Sequence, residues 1–389
     1  MSDTHRTAFR NIVGYVEAEA LKRQLEAEGS DLSEEKGRVP ATINRLHPKR
    51  LKLRVNQILE DTPTTKTFRM VAEDQELPPF QAGQYVNLFV NIDGVETARP
   101  YAISSSPAER NFYDLTVKRA AGGFVSHFLL DRVQVGDRLT STGPMGTFHY
   151  NPLFHGQELV FLAGGSGIAP ARSLALDIID HARPIHLQII YSNSYASDVI
   201  FQEQMRSLAR RHDNIELTEI ITRPDPGYSG LTGRLTPERL AELIDQPKNK
   251  RYFLCGPTPF NENAQACLEG LGVPRSQIMV EVNGPPKHPE AMAGWPEGIS
   301  SDHQVTVTVR GQGSFNALAG EPLLNSLERN GFGAENACRS GECSLCRVKL
   351  ISGEVFNPPA SRIRKSDRKF GWIHACVAFP VSDIEIDIM

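Results

Sequence analysis

The stretch CRSGECSLC, from Cys338 to Cys346, holds three of the chain's six cysteines, and the next cysteine downstream is Cys376. The spacing C-x4-C-x2-C followed by a distant fourth cysteine is typical of a plant-type [2Fe–2S] site. Two irons bridged by sulfides need four thiolates, and a short loop offers three only if its backbone curls around the cluster. Gly341 suits that loop because it tolerates conformations that a Cβ disfavours. The spacing predicts metal ligation by Cys338, Cys343, Cys346 and Cys376.

Two other uses of these cysteines fit the sequence less well. A structural zinc site usually draws its cysteines from two C-x2-C pairs, and this region has one such pair. A disulfide framework is typical of small secreted domains, whereas this chain is long and has few cysteines.

Length, composition and charge limit the class of protein. A chain of 389 residues with 40% hydrophobic content is long enough for about two or three ordinary domains. The net charge of −4 gives no electrostatic reason to expect nucleic acid or an anionic membrane as a partner. The longest apolar runs are too short for a membrane span, and MSDTHRTAFR lacks the apolar core of a secretory signal. With thiols committed to a metal cluster, we expect a reducing cytoplasm.

Changes in hydrophobic pattern divide the chain into five segments. Residues 1–48 form a charged extension, in which apolar residues recur at helical spacing and predict an amphipathic helix ending near Gly29. Those apolar residues are Phe9, Ile12, Val13, Val16 and Ala20. This helix could pack on the rest of the protein or serve as a partner-binding arm.

The other four segments predict a multidomain fold. Residues 49–153 show the short alternating runs of an antiparallel barrel or sandwich, and residues 154–284 alternate between strands and helices as βαβ units do. Residues 285–302 are rich in proline and glycine and lack a period, which is typical of an interdomain linker. Residues 303–389 predict a small mixed α and β domain that carries the cluster.

Two short motifs point to ligands of the larger domains. AGGSGIAP lies between a buried strand and a helix, where Gly165 and Gly167 let a pyrophosphate approach the helix amino terminus. A tight structural turn is the alternative, and no lysine follows as nucleotide hydrolysis by a P-loop would require. In RPYAISSSP, Arg99 could bind a phosphate while Tyr101 lies against a flat ring. An ordinary strand with a surface arginine fits that motif as well.

The order of the motifs is more specific than any motif alone. RPYAISSSP, GGFVS, GGSGIAP and CGP follow one another as in the ferredoxin–NADP reductase superfamily. With the cluster domain appended, residues from about 50 to 389 resemble iron–sulfur flavoprotein reductases of the phthalate dioxygenase reductase and phenylacetate-type kinds. The resemblance implies an antiparallel β-barrel flavin domain, an α/β parallel-sheet NAD(P)H domain and a β-grasp ferredoxin domain.

The resemblance also implies which residues bind the cofactors. Arg99 and Tyr101 would hold the flavin phosphate and ring, and Gly123 and Ser126 would contact the phosphate or pyrophosphate. The full implied flavin set is Arg99, Pro100, Tyr101, Ala102, Ser104, Gly123 and Ser126. The implied nucleotide set is Gly165, Gly167, Pro170 and Gly256, with Cys255 in the turn that lines the nicotinamide pocket. Ser104 and Cys255 are the expected catalytic residues.

One departure from the family pattern concerns the flavin. Related proteins usually carry Ser or Thr after the tyrosine, near the reactive flavin nitrogen, and this chain has Ala102. That hydroxyl contact would be absent or supplied by a neighbour such as Ser104. GGFVSHFLL and GPMGTF resemble FAD-binding relatives more than FMN-binding ones.

The nicotinamide nucleotide is expected to be NADH. YSNSYASD has no basic residue for the 2′-phosphate of NADPH, which favours NADH, although Arg223 or Arg251 could contribute from elsewhere.

These parts predict an oxidoreductase. NADH gives up two electrons together and a [2Fe–2S] centre accepts one at a time, so a flavin is needed between them. The expected path runs from NADH to flavin, to the cluster, and to a protein acceptor such as a Rieske-type or other non-haem iron oxygenase or a demethylase. Arg339 and Glu342 are predicted surface contacts where electrons leave. The alternative is a non-catalytic electron-transfer subunit of a larger redox complex.

Overall fold

The computed structural model describes residues 15–28, 37–46, 48, 50–281, 284–336, 338–359, 361 and 363–388. The chain divides into two compact units, Met1–Lys49 and Arg50–Met389. The first unit contains helices α1 (Tyr15–Ala27) and α2 (Arg38–Leu46). The predicted amphipathic helix is present as α1 at Val16 and Ala20, whereas Phe9, Ile12, Val13 and Gly29 lie outside the described residues.

The second unit begins with a six-stranded antiparallel sheet. Its strands are β1 (Leu51–Thr62), β2 (Thr65–Ala72), β3 (Tyr85–Ile92), β4 (Val95–Ala102), β5 (Tyr113–Lys118) and β6 (Arg138–Ser141), in the order β4-β3-β6-β1-β2-β5. Alternate residues such as Leu51 and Leu53 are buried, as the alternation in the sequence predicts. An antiparallel bridge between Ile103 and Leu115 joins the two edge strands and closes the sheet. Helix α3 (Phe124–Arg132) packs on this domain through Leu129 and Leu130.

A six-stranded parallel sheet follows. It comprises β7 (Glu158–Gly164), β8 (His186–Asn193), β9 (Ile215–Ile221), β10 (Leu231–Thr232), β11 (Arg251–Cys255) and β12 (Ile278–Val280), in the order β10-β9-β8-β7-β11-β12. The helices are α4 (Ile168–Asp180), α5 (Gln202–Arg211), α6 (Pro237–Leu243) and α7 (Thr258–Gly270). Because all these strands run the same way, the turns after β7, β8 and β11 meet at one edge, where ligands bind in such sheets.

The carboxyl-terminal region forms a five-stranded mixed sheet and a two-stranded sheet. The strands are β13 (Gln304–Val309), β14 (Gly313–Leu318), β15 (Arg347–Ser352), β16 (Val355–Phe356), β17 (Trp372–His374), β18 (Phe379–Pro380) and β19 (Ile384–Asp387). The orders are β14-β13-β19-β15-β17 and β16-β18. Helices α8 (Leu323–Arg329) and α9 (Lys365–Lys369) complete it. The predicted three-part fold class is confirmed.

The predicted linker packs against the cluster domain. Trp295 lies edge-on to Phe356, with ring centroids 5.2 Å apart, and its indole N–H donates to the carbonyl of Ile299 at 2.7 Å. The aromatic residues that contact Trp295 lie in β16 and β18. The predicted linker therefore packs in a defined position although its sequence has no periodicity. Within the described part of the chain, no helix is both long enough and apolar enough to cross a membrane.

Candidate active site and cluster site

A cavity of about 280 Å³ lies where the antiparallel sheet, the parallel sheet and the cysteine loop meet. Pro100, Tyr101 and Ala102 at the end of β4 line one side. Gly167 and Pro170 at the start of α4, with Cys255 and Gly256 after β11, line the second. Cys338, Ser340 and Glu342 line the third. Three chemically distinct groups of residues therefore line one cavity.

Arg99 and Tyr101 have unusual electrostatic surroundings. Arg99 donates from one guanidinium nitrogen to Thr97 Oγ1 and to the carbonyl of Ala98, each at 2.7 Å. Burial, with the nearby Arg339, lowers the pKa of Arg99 to about 10. Burial also raises the pKa of Tyr101 above its usual value. An anionic group would restore the stability of a buried guanidinium, so this site fits a phosphate.

The Ser104 hydroxyl is buried behind the cavity wall. Ser104 is fully buried, its hydroxyl donates to the carbonyl of Asp114 at 3.0 Å, and it lies 2.9 Å from Thr116 Oγ1. Thr116, together with Lys118 of the same strand, lines the cavity itself. Ser104 is thus connected to the cavity through Thr116.

A second cavity, of about 410 Å³, lies at the amino end of α3. Gly122, Gly123 and Phe124 line it, together with His127. Ser126 Oγ accepts a hydrogen bond from the backbone N–H of Ala120 at 3.1 Å, which fixes the turn before the helix. Unpaired N–H groups at a helix start suit phosphate oxygens, so this cavity fits the diphosphate part of a dinucleotide flavin.

The glycine loop packs directly against the turn after β11. A Cβ on Gly167 would overlap the carbonyl oxygen of Cys255, so only glycine allows this close approach. Gly165 has a left-handed backbone, with φ of 54°, and its carbonyl accepts from Tyr191 Oη at 3.1 Å. The two turns that the sequence assigns to nucleotide binding therefore form one surface.

The two arginines considered for binding the nucleotide lie at opposite ends of the strands of the parallel sheet. Arg223 follows the carboxyl end of β9 and donates to Tyr195 Oη at 3.2 Å. Arg251 begins β11, and its guanidinium donates to the carbonyl of Phe154 at 2.9 Å. Since the glycine loop lies at the carboxyl ends of the strands, Arg251 lies at the opposite end of the sheet from that loop.

Glu281 adds a carboxyl group to the cavity that the sequence did not single out. Burial, together with the negative charges of Glu342 and Cys338, raises the pKa of Glu281 to about 8. Thr116, Lys118 and Glu281 were all missed. A signal existed for the first two, because alternation in YDLTVKR places Asp114, Thr116 and Lys118 on one face of β5.

The four predicted cluster cysteines lie together. Cys346 Sγ lies 3.1 Å from Cys376 Sγ, and both residues belong to the core of the carboxyl-terminal domain. Hydrogen bonds from the thiols of Cys343 and Cys376 lower the pKa of Cys338. The lowered pKa favours a thiolate, the form that ligates iron.

The backbone of the loop also fits a cluster. The N–H groups of Ser340, Glu342 and Cys343 each donate to Cys338 Sγ at 3.4 Å. Gly341 has φ of 81°, and a Cβ there would lie 2.8 Å from a methyl carbon of Val377. Within the described ranges, no three His, Cys, Asp or Glu side chains are grouped for a single metal ion. A [2Fe–2S] cluster instead divides four thiolates between two irons.

The prediction that Arg339 is a surface contact is wrong. Arg339 is 5% exposed and pairs with Glu328, and its guanidinium also donates to Thr97 Oγ1 at 3.1 Å. This contact joins the cluster domain to the flavin-type domain. Glu342 is exposed, as predicted, and lies at the edge of the cavity.

Comparisons with known proteins match all three regions. Models of an oxidoreductase FAD-binding domain, an oxidoreductase NAD-binding domain and a 2Fe-2S iron-sulfur cluster binding domain match residues 51–150, 161–266 and 307–381. The glycine betaine monooxygenase reductase subunit of Pseudomonas aeruginosa is 30% identical over 348 residues, covering 86% of this chain and 94% of that protein. The chain belongs to the iron–sulfur flavoprotein reductases.

Two further matches span most of the reductase. The ferredoxin reductase component of 3-ketosteroid-9-alpha-monooxygenase from Mycolicibacterium smegmatis is 30% identical, covering 86% of this chain and 95% of that protein. The structure of phthalate dioxygenase reductase matches with a TM-score of 0.63 at 21% identity, covering 87% of this chain and 98% of that one. The latter likeness shows the shared fold.

The prediction of an NADH-dependent oxidoreductase is confirmed by these matches. Its cofactors are NADH, FAD and a [2Fe–2S] cluster, and electrons pass from NADH to FAD and then to the cluster. The individual contacts of Arg99, Ser126, Gly165 and the other predicted site residues stay predictions.

Proposed function

We propose that this reductase supplies single electrons to an iron oxygenase. The observation that carries the proposal is the cavity shared by the end of β4, the glycine loop and Cys338. When bound, FAD accepts two electrons from NADH together and releases them singly to the cluster. Two relatives that match over most of their length are reductase components of monooxygenases, which supports an oxygenase as acceptor.

We assign the residues around the cavity as follows. Tyr101 and Pro100 cover the flavin ring, while Arg99 binds its phosphate. Gly123 and Ser126 hold the diphosphate at the start of α3. The nucleotide set is Gly165, Gly167, Pro170, Cys255 and Gly256, and the iron ligands are Cys338, Cys343, Cys346 and Cys376.

The position of Cys338 in this cavity suggests how electrons leave the flavin. One ligand-bearing loop reaches the same space as Tyr101 and Ala102, so no intervening layer of side chains is needed. Domain boundaries at 48/49, 153/154, 284/285 and 302/303 and a cytoplasmic location are also part of the proposal. Four thiolates need a reducing compartment to stay free of disulfides.

An anaerobic NADH titration tests the electron path. We expect bleaching of the flavin absorbance together with a rhombic electron paramagnetic resonance signal from the reduced cluster. Cys343→Ser should remove that signal and reduction of cytochrome c, yet leave flavin bleaching intact. Cys267→Ser is the matched control, because Cys267 is buried in α7 outside the loop and should change neither readout.

The acceptor is tested by mixing the NADH-reduced protein with the purified oxygenase components that serve the two relatives. Reduction of either oxygenase at a rate that saturates with its concentration would support the proposal. If neither is reduced while cytochrome c is, the oxygenase assignment is wrong. Cytochrome c reduction at the parent rate by Cys343→Ser would instead disprove the order of the carriers.

A further inference from the structure

Hydrogen bonds run without a break from the cavity into the antiparallel domain. Thr116 Oγ1, at the cavity wall, lies 2.9 Å from Thr67 Oγ1, and Thr67 Oγ1 donates to Asp61 Oδ2 at 2.6 Å. Thr67 is 1% exposed and Thr116 is 6% exposed, whereas Asp61, near the end of β1, is half-buried. This series of hydrogen bonds therefore connects the cavity with a half-buried carboxylate that reaches water.

Thr116 also lies opposite Ala102, the position at which related proteins usually carry a hydroxyl. The antiparallel bridge between Ile103 and Leu115 sets Ala102 directly opposite Thr116, because paired positions in such a bridge run in opposite directions. Both residues line the cavity. The hydroxyl that Ala102 cannot offer is thus present on the neighbouring strand.

The direction of these hydrogen bonds depends on the charge of Asp61. Ser104 donates to the carbonyl of Asp114, and Thr116 lies within hydrogen-bond distance of both Ser104 and Thr67. A hydroxyl has one proton to give. With Asp61 ionised, Thr67 donates to it and Thr116 can donate to Thr67, which leaves its own oxygen free to accept from the cavity. With Asp61 protonated, each hydroxyl donates toward Ser104 instead.

Asp61 has surroundings suited to taking up and releasing a proton. Burial raises the pKa of Asp61, and the negative charge of Asp114 acts in the same direction. The hydrogen bond from Thr67 and the positive charge of Arg172 act against this rise. A raised pKa brings this carboxyl closer to the range in which a group can both accept and release a proton.

The reaction needs a path for one proton. Oxidation of one NADH to NAD⁺ yields two electrons and one proton, and an iron–sulfur cluster takes up electrons only. One proton must therefore leave the flavin site for each NADH oxidised, once both electrons have passed on singly. A hydroxyl beside the flavin can accept that proton only if it passes its own proton onward.

We propose that Thr116, Thr67 and Asp61 form a relay that carries this proton from the flavin site to water. Thr116 accepts the proton from the flavin ring N–H while its own proton passes to Thr67, and the Thr67 proton passes to the Asp61 carboxylate. Asp61 then gives a proton to water, and the hydroxyls rotate back. Thr116 is a catalytic residue, and the other two act through it. The relay rests on the proposed position of the flavin in the cavity.

Four single variants separate the relay from simple structural support. Thr67→Val and Asp61→Asn keep the side-chain shape but interrupt proton transfer. Thr67→Ser restores a hydroxyl at the same position. Thr65→Val is the matched control, because Thr65 is also buried on β2 and its hydroxyl has no hydrogen-bond partner within the described residues.

The measurement uses the full-length protein loaded with FAD and cluster. Each protein is reduced anaerobically with one equivalent of NADH and then mixed, in weak buffer, with ferricyanide and a pH-indicator dye. The dye reports proton release, while absorbance reports flavin oxidation. Thr67→Val and Asp61→Asn should slow proton release and flavin oxidation together by at least about tenfold. Thr67→Ser and Thr65→Val should match the parent, and the parent rate should fall in heavy water.

Two results would overturn the relay. One is release of the proton at the parent rate by Thr67→Val or Asp61→Asn with FAD bound. The other is equal slowing by Thr65→Val, which would show a structural effect of the strand. If only one of Thr67→Val and Asp61→Asn folds, the rate of proton release by that variant alone tests the relay. Failure of the parent flavin to bleach with NADH would instead disprove the proposed function, before any proton is measured.

Discussion

The flavin-binding domain meets its two neighbours through junctions of different chemistry. Toward the nucleotide domain, the first turns of α4 donate to backbone carbonyls: Arg172 to Ser104 at 2.7 Å and Ser173 to Ser105 at 2.7 Å. Toward the cluster domain, Arg339, Glu328 and Arg99 all bond to the single hydroxyl of Thr97.

This difference predicts how each junction responds to the loss of one side chain. The nucleotide junction spreads its bonds along the Ser104–Ser106 segment, where the Ser104 and Ser105 carbonyls accept and the Ser106 hydroxyl donates to Asp180, so loss of one bond leaves the register intact. The cluster junction concentrates buried charges on one hydroxyl, so loss of one group leaves the others unpaired in a site of low dielectric constant. The first junction is redundant and the second is cooperative.

The largest expected effect is at the buried ion pair of the cluster junction. Glu328→Gln removes the charge that neutralises Arg339, and breaking such a pair costs about 3–5 kcal/mol. We expect early thermal loss of the cluster absorbance and slower electron transfer from flavin to cluster, with flavin bleaching by NADH unchanged. The control is Glu321→Gln at the more exposed pair of Arg329 and Glu321, which should cost less than about 1 kcal/mol. Equal effects of the two variants would contradict the comparison.

The sequence predicted the parts of the fold better than their junctions. Cysteine spacing, strand alternation and the glycine turn are local patterns, and each of them located a domain. The sequence placed Arg339 at the surface because isolated charges usually lie there, but Glu328 and Thr97, distant in sequence, bury it. No local pattern encodes such a partnership.

In the candidate site, too, local sequence patterns did not show which residues meet across the fold. Alternation in β5 put Thr116 and Lys118 on one face, but only the bridge between Ile103 and Leu115 shows that this face borders the cavity. Ser104 was expected beside the flavin, and its hydroxyl turns toward Thr116 and the Asp114 carbonyl instead. Position along a motif did not determine which way that side chain points.

Removing the shared hydroxyl should have the second largest effect. Thr97→Val preserves shape but takes one partner from Arg339, Arg99 and Glu328 at once, so we expect a loss of about 2 kcal/mol. Because Arg99 is one of the three, FAD affinity should fall together with cluster-domain stability. Titration of the apoprotein with FAD and thermal unfolding measure the two effects. A fall in only one of them would show that the junction and the flavin site are independent.

Asp198 is a charged contact of the nucleotide junction and gives it a pH dependence. It pairs with Lys118 and accepts from Thr62 Oγ1 at 2.8 Å and Thr64 Oγ1 at 2.5 Å. Burial opposes ionisation, but these hydrogen bonds outweigh it and lower the pKa of Asp198. A lowered carboxyl pKa means that the stabilisation is present above the unfolded value near 3.8 and is lost as pH falls through the folded value.

Asp198→Asn should therefore cost about 1–2 kcal/mol at neutral pH, since three bonds to a charged group become weaker. The gap should begin to shrink as pH falls below about 3.8 and should close only below the lowered folded pKa, where the parent carboxyl is protonated in the folded state as well. Urea unfolding at pH 7 and in acid measures both differences. A gap that stays constant into acid would show that Asp198 acts through shape and not through charge.

The smallest expected effect comes from a single hydroxyl of the nucleotide junction. Ser173→Ala removes the bond to the Ser105 carbonyl, while Arg172 still holds the adjacent Ser104 carbonyl. The expected cost is about 1 kcal/mol, with no change in the rate of flavin reduction by NADH. Thr97→Val is the direct comparison, because it also removes one hydroxyl but at the cooperative junction. If Ser173→Ala destabilised the protein as much as Thr97→Val and slowed flavin reduction, the nucleotide junction would depend on single bonds as the cluster junction does.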